Sequence, residues 1–446
     1  MTHATNPASP ATNSGAYLGI DVGTSAVRAC LIDEDEKLLA ISRSPLVTTQ
    51  SALFNSMASC HITQNPDDWL SALDVCLREL FEQYPANQLA AICVDGTSST
   101  VLLCSADGEA LTPALMYNDA SSMNESRQLQ QQHPRSGLAL SVTAGLPKIL
   151  QLSKHVKKPA LIQHQADWVC GRLSDQFGFS DENNALKTGY DAVRRCWPDW
   201  VQQALPAHLQ LPQVVMPGTC IATAGRWLQL RGVSSAAKMI AGTTDSTAAF
   251  IASGVTRFDE AVTTLGSTLV VKQLGRTKIE DTATGVYSHR LGDTWLAGGA
   301  SNTGGKVIDQ FFSREQLQTL SRQIDPRAKS NLDYYPLTAN GERFPIRDPD
   351  KQPVLEPRPA ADHEFLQGLF EGIARIEKAG YDKLRQLGTE AIKQVVTAGG
   401  GSSNQVWQNI RERILGIPVK QANETEAAYG AARLAKNKTA LWDNLG

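Results

Sequence analysis

The chain has 446 residues, 42% of them hydrophobic, with 42 Lys plus Arg against 45 Asp plus Glu. That length exceeds one ordinary domain and suits two of about 200 residues, each able to bury its own core. The near-balanced charge gives no basic field for nucleic acid or an anionic membrane surface, so a small molecule is the expected partner.

Residues 1–15 are rich in Thr, Asn, Ser, Ala and Pro and lack the apolar core of a signal peptide; they read as a disordered lead-in. No apolar run approaches membrane-spanning length. The eight cysteines (Cys30, Cys60, Cys76, Cys93, Cys104, Cys170, Cys196, Cys220) lie in the first half without a C-x-x-C. Reduced, mostly buried thiols in a cytoplasmic protein are therefore expected rather than a zinc site or a disulfide framework. The histidines form no H-x-x-x-H pair or other ligand cluster, so each reads as a surface or core residue.

Tyr17 to Asp21, Ala26 to Ile32 and Leu38 to Ser44 are β-prone runs joined by short turns, the first of them Gly23-Thr24-Ser25, and predict an antiparallel meander. Asn65-Pro66 marks a helix start, and Trp69, Leu73, Cys76, Leu77, Leu80 and Phe81 repeat at helical spacing. Leu89 to Val94 is then a buried strand that delivers Asp95-Gly96-Thr97-Ser98-Ser99-Thr100, and Val101 to Cys104 leads into an Asp107-Gly108 turn. The segment from about 121 to 231 mixes helical stretches and polar loops, and its pattern sets no topology.

A fresh start near Lys238 leads through Ala241-Gly242-Thr243-Thr244-Asp245 into a small-residue helix, Ser246 to Ser253, stopped by Gly254. The domains are accordingly expected over 16–234 and 235–440. Ala261 to Thr264 and Thr268 to Lys272 predict a hairpin around Leu265-Gly266-Ser267, a weak internal repeat of Val22-Gly23-Thr24-Ser25. Phe365 to Leu384 carries a long amphipathic helical pattern ending at Gly388. After it come a strand at Gln394 to Thr397, Gly399-Gly400-Gly401, a helix from about Asn404 to Leu415, a strand at Ile417 to Lys420 and a last helix at Glu424 to Ala435.

These segments hold the parts that phosphoryl transfer needs: donors around phosphates, a metal, and a carboxylate near an acceptor hydroxyl. Gly23 and Gly266 let hairpin backbone approach a phosphate, with Thr24, Ser25, Ser267 and Thr268 as hydroxyl donors. Taken singly, each hairpin is also an ordinary tight turn. Asp21, at the end of the first strand, is a candidate Mg²⁺ ligand or a turn-initiating residue. Asp245 is a helix N-cap or, in the functional reading, a catalytic base kept ionised by the helix N-terminus and a nearby Mg²⁺. Gly399-Gly400-Gly401 and Asn404 offer backbone for a flat ring and a polar contact. Gly304-Gly305-Lys306-Val307 lacks the first Gly and the final hydroxyl of a P-loop, and no G-x-G-x-x-G occurs.

In this order, Gly19-Ile20-Asp21-Val22-Gly23-Thr24-Ser25, Ala241-Gly242-Thr243-Thr244-Asp245, Thr264-Leu265-Gly266-Ser267-Thr268 and Ala398-Gly399-Gly400-Gly401 resemble the FGGY carbohydrate kinases, from about Tyr17 to Ala435. Asn184 to Asp191 with Trp197-Pro198-Asp199-Trp200 is similar to that family's first-domain insertion. The resemblance implies an α/β chain of two ribonuclease H-like, actin-like ATPase domains, with sugar bound mainly by the first, ATP mainly by the second, and a cleft between them. It implies Asp21 and Asp245 at the metal and the substrate, Asp245 as catalytic base, and Thr24, Ser25, Gly266, Ser267 and Thr268 at the ATP phosphates. Gly399, Gly400, Gly401 and Asn404 would line the adenosine site, and Ser98 and Asp119 the sugar side, with Asp119 open equally to a turn role.

The cofactors implied are ATP and Mg²⁺, and the partners are sugar and nucleotide, with no nucleic acid and no membrane; a homodimer is compatible with the reading. Typical xylulose kinases of the family carry Gly-Gln-Met-His after the strand that here ends at Val94, where this chain has Gly96-Thr97-Ser98-Ser99. That stretch, Gly298 to Gly305 and Tyr334-Tyr335-Pro336 resemble more closely a shorter cyanobacterial and plant-type branch associated with D-ribulose. D-Ribulose is therefore the expected acceptor and D-xylulose the alternative. A sugar- or nucleotide-sensing protein without turnover and a protein-binding ATPase are rivals on the same fold.

Overall fold

The computed structural model describes residues 15–51, 61–134 and 137–436. All of the expected lead-in except Gly15, and Cys60, lie outside them. The seven described cysteines are unpaired, with Cys196 and Cys220 exposed and the other five buried. Among the described residues no helix is long and apolar enough to cross a membrane.

The first sheet runs, edge to edge, Cys220–Thr223, Lys238–Ile240, Leu89–Gly96, Ala16–Val22, Ala26–Ile32 and Leu38–Pro45. The meander predicted at its start is present, and Leu89–Gly96 joins it in parallel, with Asp21 in register with Asp95. These central strands read as continuous apolar runs because both of their faces are covered. Trp69, Leu73, Leu77 and Leu80 of helix Pro66–Phe81 cover one face, and the Asn65 side chain caps that helix by accepting the Asp67 N–H. On the other face, Cys30 and Ile32 pack against Ala252, Ala428 and Ala432, so the last helix, Ala427–Lys436, returns to the first sheet. Tyr429 hydroxyl donates to the Glu36 carbonyl at 2.7 Å and Arg433 Nε to the Glu36 carboxylate at 2.8 Å, which fixes the return.

Lys238–Ile240 pairs in parallel with Leu89–Gly96, Met239 beside Ile92. The boundary expected between 234 and 235 thus separates from the first sheet a strand that the sheet retains. Burial of Met239 against that sheet outweighs the local fresh-start pattern at Lys238.

The second sheet has the order Tyr287–Leu291, Thr294–Ala300, Leu269–Gly275, Glu260–Leu265, Gln394–Ala398, Val419–Gln421. Its build repeats that of the first: Glu260–Leu265 makes a tight antiparallel hairpin with the next strand and a parallel pairing with a distant one. The weak repeat at 22–25 and 265–268 therefore marks equivalent hairpins of two like sheets. Helix Asp362–Leu387 buries Phe365, Leu369, Phe370 and Ile373, and Gln405–Leu415 packs beside it through Trp407, stacked on Phe370 at 4.7 Å between ring centroids.

Beneath the helices lies a buried polar knot. Arg411 donates from Nε and Nη2 to the two Glu377 oxygens, both at 2.7 Å, and from Nη1 to Thr397 Oγ1 at 2.7 Å. Thr263 donates its hydroxyl to Glu377 and meets the Tyr381 hydroxyl at 2.6 Å. The knot ties two helices to the two strands whose ends carry Gly266 and Gly399.

The 121–231 segment, whose topology the pattern left unset, contributes Ala160–His164 and Leu209–Gln210 to a third six-stranded sheet, ordered Leu209–Gln210, Ala160–His164, Val101–Cys104, Ala114–Leu115, His61–Gln64, Thr49–Ser51. Helix Gly145–Ser153 packs on it through Ile149 and Leu152.

Candidate active site

Asp21 and Asp95 end two neighbouring parallel strands in the same register, and they are 4% and 0% exposed. Arg28 Nη1 donates to Asp21 Oδ2 at 2.9 Å, while Asp21 Oδ1 and both Asp95 oxygens accept no hydrogen bond from the described residues. Burial pushes Asp21 up to about 6, the charge of Asp245 adding to the rise and Arg28 opposing it. Burial, with the charges of Asp21 and Asp245, holds Asp95 well above the usual carboxylate range. Adjacent buried carboxylates cannot all ionise unless a cation joins them. Asp95 was not among the residues expected from sequence, although its Val-Asp-Gly, like Ile20-Asp21-Val22-Gly23, ends an apolar strand with an acid and a glycine.

Asp245 reaches the same end of the sheet through its approach loop. Gly242 lies so close over the Val94 carbonyl that a Cβ would stand 1.7 Å from its oxygen, which only glycine permits. Thr244 then bridges Gly96 in parallel fashion. The cap of helix Asp245–Ala252 is Thr244, and Asp245 is its first helical residue, correcting the expected N-cap assignment. Asp245 Oδ1 accepts the Ser246 N–H at 2.6 Å. Burial raises the Asp245 carboxyl, and the Ser246 N–H and the charges of Lys272 and Lys187 pull it back. Lys272, buried on a second-sheet strand, donates to the Ser246 carbonyl at 2.6 Å and to its hydroxyl at 3.2 Å. Its desolvated ammonium falls to about 7, with Asp245 opposing the fall.

The loop after Asp95 is strained and held. Ser99 has φ 72°, the left-handed region, and the Ser98 and Ser99 hydroxyls are buried without partners among the described residues. The fully buried Lys148 donates to the Ser99 carbonyl at 3.0 Å and the Met116 carbonyl at 2.6 Å. Gln165 Oε1 accepts the Thr97 N–H at 2.9 Å and its hydroxyl at 2.7 Å. Asp119 belongs to this architecture: its oxygens accept the Ile62 N–H at 2.7 Å, and the Ser121 N–H and hydroxyl at 3.1 and 2.5 Å. Both oxygens are engaged by the chain itself, so Asp119 holds this turn.

The two glycine-bearing hairpins are present. Gly23 N–H donates to the Ala26 carbonyl at 3.0 Å, the Thr24 carbonyl accepts Gln64 Nε2 at 2.8 Å, and Ser25 is exposed. Gly266, Ser267 and Thr268 are backed by Gly305, whose N–H donates to the Gly266 carbonyl at 2.9 Å. Gly304 has φ 145° and a Cβ there would lie 2.7 Å from the Ser267 carbonyl, so side chains are excluded behind the hairpin. Gly399, Gly400, Gly401 and Asn404 line a cavity of about 600 Å³ together with Arg322 and Trp407, a volume suited to a small ligand. Asn404 accepts the Trp407 N–H at 3.0 Å and donates to Ser321 Oγ at 2.9 Å, so it caps the following helix while facing the cavity. Among the described residues no three His, Cys, Asp or Glu side chains gather as a metal cluster.

The chain matches, over 16–252, the model of the N-terminal domain of the FGGY family of carbohydrate kinases and, over 261–436, that of the C-terminal domain. It is 23% identical to a xylulose kinase of Escherichia coli (strain K12), covering 94% of this chain and 89% of that one. A xylulose kinase of Bacillus subtilis (strain 168) is 24% identical, covering 96% and 89%. In fold it is similar to the crystal structure of a xyloylose kinase from Brucella ovis, with a TM-score of 0.81, 22% identity, and 94% and 90% of the two chains covered. It is similar also to a glycerol kinase of Plasmodium falciparum solved with ADP, with a TM-score of 0.81, 16% identity, and 97% and 91% covered.

Proposed function

The chain belongs to the FGGY family of carbohydrate kinases and has its two-domain actin-like ATPase fold, and from that premise we propose that it transfers the γ-phosphoryl group of ATP to a hydroxyl of a pentulose, D-ribulose ahead of D-xylulose. The observation that carries this reading is the group of buried carboxylates with unpaired oxygens, Asp21 and Asp95, within electrostatic reach of Asp245. Loss of the base or the metal carboxylate would mark a chain without turnover, and Asp21 and Asp245 are both present.

Asp245 is the base: it orients the acceptor hydroxyl and takes its proton as the new O–P bond forms. Lys272 and Lys187 favour its ionised form against burial. The unpaired oxygens fit a hard cation, and Mg²⁺ held by Asp21, with Asp95 beside it and Asp245 near, would neutralise phosphate charge, its coordination completed by water and phosphate oxygens. Thr24 and Ser25 on one hairpin and Gly266, Ser267 and Thr268 on the other receive the ATP phosphates, and the Gly399–Gly401 cavity with Asn404 receives adenosine. On the sugar side Ser98 and Ser99 offer hydroxyls with free hydrogen-bonding capacity, in a loop that Lys148 fixes. D-Ribulose is favoured by Gly96-Thr97-Ser98-Ser99 standing where xylulose kinases carry Gly-Gln-Met-His. The relatives named xylulose kinase keep D-xylulose as the second reading.

The test is a coupled ADP-release assay with ATP and Mg²⁺ against D-ribulose, D-xylulose, L-ribulose, sedoheptulose and glycerol. Release that depends on a ketose, strongest with D-ribulose, is expected. Release that is the same with and without every sugar would make the chain an ATPase or a sensor.

A further inference from the structure

Tyr287–Leu291 is the edge strand of the second sheet, paired only with Thr294–Ala300, and an edge strand leaves backbone N–H and C=O groups to be satisfied elsewhere. Arg290 on that edge finds its partner in the other half of the molecule. Asn183, 1% exposed, accepts the Arg290 N–H at 3.0 Å through Oδ1 and donates to the Arg290 carbonyl at 3.0 Å through Nδ2. One amide thereby pairs with one residue's backbone as a neighbouring strand would. Nδ2 also donates to Thr243 Oγ1 at 3.0 Å, two residues before Asp245. Asn183 is itself fixed by Asp181, whose carboxylate accepts the Asn183 N–H at 2.8 Å, the Asn184 N–H at 3.1 Å and the Asn184 side chain at 2.6 Å. Around the clamp, Arg290 Nη1 donates to the Ala192 carbonyl at 2.5 Å, and Trp295 packs on Ala185, Tyr190 and Ala192.

Phosphoryl transfer depends on holding base, acceptor and phosphate in line, and displacement by about 1 Å can cost on the order of a hundredfold in rate. The phosphate hairpin at 266–268 belongs to the sheet that carries Arg290, whereas the loop of Asp245 lies on the first sheet. We infer that Asn183 is a positioning residue for the reaction: its amide sets the loop of Asp245 in register with the sheet that presents the ATP phosphates. The inference rests on Asp245 acting as the base in the proposed sugar kinase reaction.

The experiment compares Thr243→Val, which releases only the loop, Asn183→Ala, which releases loop and strand, and the double variant. Each is measured by single-turnover phosphoryl transfer, by KM for ATP and sugar, and by thermal unfolding. Transfer is expected to slow about tenfold in Thr243→Val and about a hundredfold in Asn183→Ala, with both KM values changed by less than threefold. The double variant should be no slower than Asn183→Ala, because both substitutions cut one connection. Additive losses, or wild-type single-turnover rates accompanied only by a lower melting temperature, overturn the inference. Should Asn183→Ala not fold, an undiminished Thr243→Val rate has the same force. A wild-type chain that responds to no sugar removes the premise and the inference together, whereas active wild type with undisturbed variants removes the inference alone.

Discussion

Two buried carboxylate clusters lie against equivalent strands of the two sheets, and they are built in opposite ways. Glu377 is matched by both arms of the Arg411 guanidinium and by the Thr263 hydroxyl, and the remaining arginine arm is taken by Thr397. Asp21 and Asp95 share one arginine contact and leave three oxygens without a partner among the described residues. The first cluster closes on itself beneath the helices and needs nothing from outside. The second stands at the strand ends, where backbone turns and helix starts open the fold to ligands, and its deficit is one that a bound cation, or a proton held between Asp21 and Asp95, relieves.

The sharpest way to break this contrast is at the open cluster's neighbour Asp245, the proposed base. Asp245→Asn is expected to lower kcat by about 10³-fold or more, the upper range for loss of a general base, while a fluorescent nucleotide still binds. Sugar phosphorylation at an undiminished rate would remove Asp245 from the role of base.

The closed cluster should answer in stability instead. Arg411→Met strands Glu377 in an apolar interior and should cost about 3–5 kcal/mol, read by urea unfolding, with turnover per folded molecule within a few-fold of wild type. A loss below about 1 kcal/mol would mean that the knot is not what holds those helices.

The smallest effect separates the clusters by sign. A carboxyl whose folded pKa is raised holds its proton more tightly in the folded state, so stability is lost as pH climbs from the unfolded value near 3.9 through the folded one, which for Asp21 is about 6. Asp95→Asn should therefore be more stable than metal-free wild type by about 1–2 kcal/mol at pH 7. The advantage should grow as pH rises from about 4 to 7 and narrow when Mg²⁺ and ATP are added. A variant that is less stable across that window would show that Asp95 is already satisfied in the fold.

Local chemistry made much of this legible in advance. Asn65-Pro66 starts the first helix and Gly416, in the left-handed conformation, ends the helix Gln405–Leu415, because caps and stops are written within a few residues. Asp21 and Asp245 could be picked out because each adjoins a glycine-bearing turn at an element boundary. The third sheet could not be read as a whole: its strand Ala114–Leu115 has two residues, and it gathers segments as distant as 49–51 and 209–210 as its two edges. Lys272 and Lys148 escaped notice for a related reason. A lone lysine in an apolar segment reads as a residue aimed at water, and only tertiary packing turns it onto the Ser246 or Ser99 carbonyl. Asp119 could be read either way from sequence, since a carboxylate near a candidate ligand loop can also be taken up by its own backbone.

The return of the last helix to the first sheet bears on how the molecule is made. Tyr429 lies 393 residues beyond its partner Glu36, and the face that Ala428 and Ala432 cover on Cys30 and Ile32 belongs to a part of the chain made long before that helix. Domains tend to fold as they emerge, but this one must keep part of that apolar face uncovered until residues 427–436 have been translated. A nascent chain stalled just short of residue 427 should accordingly be a chaperone client, and release of the final helix should end that dependence.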